Sequence, residues 1–411
     1  MRVLHERCCG LDVHKNSVVA CAITPQGQQT RTFGTMTGDL EKLAQWLKEQ
    51  GIRYVAMEST GIYWLPLFNV LEEELNPDEL MVVNARHIKA VPGRKTDVKD
   101  AEWIADLLQH GMLRGSFIPD RGHRELRELV RHRRNLINQH AQVLNRVQKV
   151  LEGANIKLGS VASKISGVSC QKMLWEIVHG NQDPVALASL ARGRMKSKRE
   201  ELEKAFSGSI RPHHRFMLGT LLRQYEFLSE EIAALDLEVA ERMRPFAAAL
   251  RMLDQVPGIG RRVAEAIISE LGTDMSRWLT HRHLASWAKI CPGNNQSGGK
   301  SRTAHTGRGN GWLRHTLIEA ARAAVRTKDS YFGAQYRRLK GRRKDADNRA
   351  IVAVAHSILV IVYHMLRDGT IYQDLGADFF QQRDREQVAK RAVNTLKKLG
   401  YEVSLDEPVA A

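Results

Sequence analysis

The sequence predicts a mixed α/β domain at the N-terminus followed by a mostly helical remainder. Three observations lead there. Residues 1–118 alternate short β-type runs with amphipathic helical stretches. Beyond them come long runs without helix breakers, with apolar residues at helical spacing. No internal repeat or low-complexity tract interrupts this plan.

Cys8–Val13 and Ser17–Ile23 read as strands joined by a polar turn at His14-Lys15-Asn16. Asp39–Gln50 reads as an amphipathic helix, Tyr54–Met57 as a strand, Ile62–Leu75 as a helix and Leu80–Val83 as a strand. A third helix, Val98–His110, starts from Thr96 or Asp97 as its N-cap. Arg121–Glu152 is a long helix with an apolar stripe at Leu129, Leu136, Val143 and Val150. Gly153–Gly193 is weakly patterned. Leu218, Leu221, Tyr225, Leu228, Ile232, Leu235 and Val239 form a heptad seam, which pairs with the preceding long helix or with a second copy of the chain. Pro257 marks the next boundary, and a helical region follows, broken by a Gly/Ser/Asn loop at Pro292–Gly311. The tail after Asp374 is charged and is expected to be peripheral. The expected domains are 1–118, 119–248, 249–345 and 346–411.

The 411 residues carry a net charge of +16, with a pI of about 9.8. Basic side chains displace counterions from phosphates, so this surplus favours a nucleic-acid partner over a protein that is merely basic. Six arginines fall within Arg121–Arg134, with only Glu125 and Glu128 beside them. Among these, Arg124, Arg127, Arg131 and Arg134 are the candidate phosphate contacts; a solvated helix face is the plainer alternative. The five cysteines are odd in number and form no CxxC pair, which argues against disulfides or structural zinc and fits a reducing cytosol. Met1–Gly10 lacks the apolar run of a signal peptide. Ile351–Leu366 falls short of a bilayer and contains His356 and His364, so a buried core helix is expected, with no membrane partner.

Four acids stand out. Asp12 lies inside an apolar strand, Glu58 follows a second strand, and Asp97 and Asp100 stand i, i+3 at a helix start. A carboxylate in a strand is costly unless it faces a cleft or a cation. Clustered acids suit Mg²⁺, and paired ions of that kind serve phosphoryl transfer. Taken singly, Asp12 is also readable as a turn-flanking residue, and Asp97 and Asp100 as partners of the helix dipole.

The segments Gly10-Leu11-Asp12, Met57-Glu58-Ser59-Thr60-Gly61-Ile62-Tyr63 and Lys95-Thr96-Asp97-Val98-Lys99-Asp100-Ala101 resemble the DEDD motifs of the IS-one-ten family of insertion-sequence transposases, relatives of the Piv/MooV invertases. The resemblance runs over about 8–150 and resumes at about 250–340. It implies a RuvC-like, ribonuclease H-type N-terminal domain whose metal ligands are Asp12, Glu58, Asp97 and Asp100. It also implies a helical coiled-coil middle and a mostly helical C-terminal transposase domain.

In the second half, Val256-Pro257-Gly258-Ile259-Gly260-Arg261 has the form of a helix-hairpin-helix, in which Gly258, Gly260 and Arg261 would hold a phosphate; an ordinary helix–helix turn is the alternative. The glycine-rich loop Cys291–Arg302 resembles the family's serine-bearing segment. Ser297 corresponds to the nucleophile, and Ser301 is a weaker alternative. Lys300, Arg302, His305, Arg308 and Arg314 surround it in sequence. The family's Ser-Lys-x-Gly element is here Thr306-Gly307-Arg308-Gly309, which leaves Lys300 or Arg308 as the supporting cation.

The resemblance implies site-specific DNA recombination through a covalent phosphoserine, with the metal and serine chemistry meeting within one chain or between protomers. The implied partners are donor and target DNA duplexes, a structured bridge RNA, and further copies of the chain as a dimer or tetramer. The implied setting is the bacterial cytoplasm, at the nucleoid. The rival reading is a RuvC-like metal-dependent nuclease or junction resolvase that uses water as nucleophile.

Overall fold

A computed structural model describes residues 2–59, 61–75, 80–84, 97–291, 296–297, 300–301, 306–307, 309–341 and 346–404. The chain forms two compact units, Met1–Arg124 and Glu125–Ala411.

The first unit is built on a five-stranded sheet. Its strands are β1 (Cys8–Val13), β2 (Ser17–Thr24), β3 (Gly27–Gly34), β4 (Tyr54–Glu58) and β5 (Leu80–Val83), in the order β3-β2-β1-β4-β5. The first three pair antiparallel, as tight turns allow, while β4 and β5 run parallel to β1. The helices are α1 (Thr37–Glu49), α2 (Trp64–Glu74) and α3 (Asp97–Gln109). β3 was not expected: its Gln, Thr and Arg residues lie exposed at the sheet edge and show no apolar alternation. The second helix starts two residues later than expected, which leaves Pro66 in its first turn, where a missing N–H costs nothing.

Alternation along the strands builds two cores. Cys9, Leu11, Val13, Val55 and Met57 pack with the apolar faces of α1 and α2. On the other face Cys8, Ala56 and Val83 pack with Ile104, Leu107 and Leu108 of α3. Gly10 lies between Cys8 and Asp12 on this second face. A Cβ there would run into the Ala101 carbonyl and the Ala105 amide, so glycine lets α3 rest directly on β1.

The helix α4 (Arg121–Gly153) leads into the second unit, which also holds α5 (Leu158–Val161), α6 (Val168–Val178), α7 (Pro184–Ser189), α8 (Arg199–Ala205), α9 (Pro212–Arg242), α10 (Ala247–Leu253), α11 (Arg261–Leu271), α12 (His281–Trp287), α13 (Gly311–Ala324), α14 (Tyr331–Lys340), α15 (Asp347–Asp368) and α16 (Phe379–Lys398). The heptad seam closes within the chain: Leu228 and Ile232 of α9 meet Leu136 and Val143 of α4. The weakly patterned stretch folds into short helices around Cys170, Met173, Leu174 and Ile177. A larger core gathers α10 to α15.

By length and composition α15 suffices to cross a membrane, which corrects the expectation that it is too short; half of its most apolar window is buried. Ile351, Val354, Ala355, Ile358, Leu359 and Val362 belong to the larger core, as a core helix requires. The tail contributes α16, whose Phe380 is buried and stacks on Tyr331 at 5.1 Å.

Candidate metal-binding carboxylates and serine segment

Strands β1 and β4 are parallel neighbours with Leu11 opposite Met57, so the register brings Asp12 beside Glu58 at their C-terminal ends. Alternation points both residues to the face that α3 covers. That helix runs from the Asp12 end of β1 back toward Cys8, whose thiol donates to the Ala105 carbonyl. Its first turn, with Asp97 and Asp100, therefore lies over the strand ends. The side chain of Asp97 lies outside the described residues, as do Thr96 and the rest of 85–96. Ser59 N–H donates to the Val83 carbonyl at 2.9 Å and fixes the chain just after Glu58.

Asp12 is 6% exposed. Burial pushes its carboxyl above the ordinary carboxylate range, the charges of Asp100 and Glu58 push the same way, and His14 opposes them. The His14 Nε2 lies 3.0 Å from Asp12 Oδ2. In the sequence His14 was only a turn residue, and nothing marked it as a partner. Among the described residues no three His, Cys, Asp or Glu side chains meet at metal-holding distance. The donor set still fits a hard divalent cation: these are oxygen ligands, and a buried Asp12 that feels two like charges is relieved by a shared positive ion.

In the second unit Ser297 lies in a two-stranded hairpin, Gln296–Ser297 (β6) with Lys300–Ser301 (β7), and stands opposite Lys300. The side chains of Ser297, Lys300 and Ser301 lie outside the described residues, and so do Arg302, His305 and Arg308 altogether. The two stems of this segment are held together. Arg314 donates to the Thr306 hydroxyl at 2.7 Å and to the Lys289 carbonyl at 3.3 Å. Lys289 adopts a left-handed conformation (φ 51°) and lies against Gly307 and Gly309. Asn310 caps α13 by accepting from Leu313 N–H.

The arginine-rich opening of α4 is less unbalanced than its sequence suggests. Its balancing acids exist, but they come from other elements. Arg121 pairs with Glu73, and Arg124 with Glu72 and Asn69. Arg127 donates to the Glu270 carbonyl at 2.9 Å, and Arg131 grips the Glu270 carboxylate with bonds of 2.7 and 2.9 Å. Arg133 joins Asp236 and Glu265, and Arg134 joins Glu319. Arg124 is 8% exposed and Arg133 4%, so their first role is to latch the fold.

In the helix-hairpin-helix segment the two glycines differ in their surroundings. Gly258 (φ +86°) makes a close approach, but to the backbone of α13: a Cβ there would strike the Ala320 carbonyl. Gly260 instead opens α11 with nothing within 4 Å of a built Cβ. Arg261 bonds Glu265 at 2.6 Å and stays mostly exposed.

Comparison with known proteins gives this arrangement its class. Residues 9–156 match a DEDD-type family model described as transposase, and residues 250–337 match the model for the transposase IS116/IS110/IS902 family. A probable family 20 transposase of Pseudomonas aeruginosa is 26% identical over 325 residues, covering 78% of this chain and 85% of that protein. An insertion element IS110 protein of 43.6 kDa from Streptomyces coelicolor is 25% identical over 394 residues, covering 89% and 95%. An insertion element IS116 protein of Streptomyces clavuligerus is 26% identical over 333 residues, covering 71% and 79%.

The class is thus transposase, an enzyme that cleaves and recombines DNA and, with a DEDD domain, depends on a divalent metal ion. The chain belongs to the IS110 family of insertion-sequence transposases.

Proposed function

We propose that the chain moves an insertion sequence by site-specific recombination, with Ser297 as nucleophile and Asp12, Glu58, Asp97 and Asp100 as the metal-binding acids of a RuvC-like domain. The carrying observation is the register that sets Asp12 beside Glu58 under the acidic first turn of α3. Three antiparallel strands followed by two parallel ones support the ribonuclease H-type reading.

The acids would hold Mg²⁺, which on binding supplies charge neutralisation for an attacking hydroxyl and a leaving oxygen. The rest falls to the chain. The Ser297 Oγ attacks a DNA phosphorus; an Oγ–P bond forms as the P–O3′ bond breaks. The seryl proton leaves and the 3′ oxygen departs as a hydroxyl. A 3′ hydroxyl of the other duplex then attacks the phosphoserine and restores Ser297, so bond count is conserved and no strand end is lost to water. Lys300 or Arg308 would neutralise the phosphate in transfer. Donor and target duplexes, a structured bridge RNA that selects them, and further copies of the chain complete the reading. RNA guidance and the cytoplasmic, nucleoid-associated setting rest on the family resemblance.

The test compares Ser297→Ala with Asp12→Asn on a DNA substrate carrying the element's end. Wild type should leave a protein–DNA adduct on a denaturing gel, and both variants should lose it. Cutting that persists in Ser297→Ala would instead establish water as the nucleophile and the nuclease reading.

A further inference from the structure

The arginines that open α4 are tied to carboxylates, but among the described residues two cations near its other end are not. Arg146 and Lys149 are exposed and stand i, i+3 on one face. Among the described residues neither has a carboxylate partner. They border a groove of about 590 Å³ between the end of α4 and the first turns of α9. Its apolar wall is Val150, Phe216, Met217 and Leu221. Phe216 is 76% exposed and Met217 47%, an unusual outlay of apolar surface beside two free cations. The surroundings are cationic: burial lowers the His214 imidazole pKa, and the neighbouring His213 and Arg211 lower it further. Most of the α9 side lies beyond residue 156, where the DEDD model ends, and before residue 250, where the second model begins.

We propose that this groove binds an unstacked single strand of DNA, with phosphates on Arg146 and Lys149 and a base against the Phe216 ring. A flat exposed ring beside paired cations is the arrangement by which single strands are held without reading sequence. A duplex keeps its bases stacked and cannot use the ring. DNA is taken over RNA because DNA is the substrate of the transposase class, on which this choice rests, and oligo-rU is the competing outcome of the test. None of the four acids and neither Ser297 nor Ser301 lines this groove, so a strand held here would be held by residues other than those proposed for the chemistry.

The experiment measures fluorescence anisotropy of the full chain with a 15-nucleotide oligo-dT, the matching oligo-rU and a duplex, at two salt concentrations. Phe216→Ala should weaken oligo-dT binding roughly 5- to 150-fold and leave the duplex unchanged. Arg146→Glu with Lys149→Glu should weaken oligo-dT binding and reduce the log–log salt slope by about 1.4. Phe227→Ala is the control: that ring is 59% exposed on the same helix but outside the groove. All these side chains are exposed, so the variants should fold, which an unchanged melting temperature verifies. The proposal is overturned by oligo-dT affinity that survives Phe216→Ala, by an equal loss on the duplex, by tighter binding of oligo-rU, or by a Phe216→Ala chain that changes oligomeric state at unchanged oligo-dT affinity. Binding is read without any strand transfer, so failure of the Ser297 reading would leave this result standing.

Discussion

The Asn310 side-chain amide donates to the Glu270 carboxylate at 2.6 Å, and its carbonyl oxygen caps α13 by accepting from Leu313 N–H at 3.1 Å. Glu270 is 2% exposed and also holds Arg131 through two bonds, so one buried acid ties α4, α11 and the outgoing stem of the Ser297 segment. Removing one partner of such a network strands the others. Glu270→Ala should cost about 3–5 kcal/mol of unfolding free energy. Asn310→Ser retains a cap but not the donated amide and should cost about 1.5–3 kcal/mol. Glu270→Gln combined with Asn310→Asp exchanges donor and acceptor at their contact but costs Arg131 one of its two acceptor oxygens, so the pair should be more stable than the sum of the singles and less stable than wild type. Urea unfolding of the cycle checks this, and a coupling below about 0.5 kcal/mol would mean the contact does not act as a unit.

The elements of the fold are more legible in the sequence than the contacts between them. An acid in an apolar strand, a second acid at a strand end and two on a helix start mark Asp12, Glu58, Asp97 and Asp100 as candidates, and the elements that carry them, β1, β4 and α3, are legible because local pattern dictates them. The seam from Leu218 to Val239 was readable for the same reason. What could not be read depends on distant partners. The arginines of α4 look unbalanced because Glu72, Asp236, Glu265, Glu270 and Glu319 are far from them in sequence. Gly258 looks like a ligand-facing glycine until Ala320 is placed beneath it. Strand β3 escaped because an exposed edge imposes no apolar period.

Asp12 gives a pH dependence with a definite sign. Its folded pKa lies above the unfolded value, chiefly through burial. The folded state therefore binds the proton more tightly, and stability falls as pH rises from the unfolded pKa, about 3.9, through the folded one. Above that interval the ionised group is a standing cost, which a cation bound only by the folded state offsets. In chelator the melting temperature of wild type, taken relative to that of Asp12→Asn, should fall across the interval and then level, a difference that cancels the opposite contributions of carboxylates with lowered pKa such as Asp120 and Asp368. Mg²⁺ should raise it above the interval and have little effect below. Asp12→Asn should lose the Mg²⁺ response. A Mg²⁺ shift of the same size in Asp12→Asn would place the ion elsewhere.

Gly258 and Gly260 are two residues apart and should respond in opposite ways. Gly258 has φ +86°, and an added methyl would meet the backbone of Ala320 and Ala324. Gly258→Ala thus combines a left-handed alanine, about 1–2 kcal/mol, with overpacking against a helix, about 1–3 kcal/mol. Gly260 has φ −90° as the N-cap of α11 and nothing within 4 Å of a built Cβ, so Gly260→Ala should stay within about 1 kcal/mol of wild type. The same open space is what a DNA phosphate would need to reach the free N–H groups of that helix start. Gly260→Ala should keep its melting temperature while duplex affinity falls and the log–log salt slope drops by about 0.9, one phosphate contact. Gly258→Ala should lose melting temperature first, with duplex affinity following the folded fraction. If Gly260→Ala binds duplex as wild type does across the salt series, this turn is a packing joint between helices and the phosphate contacts of the second unit lie elsewhere.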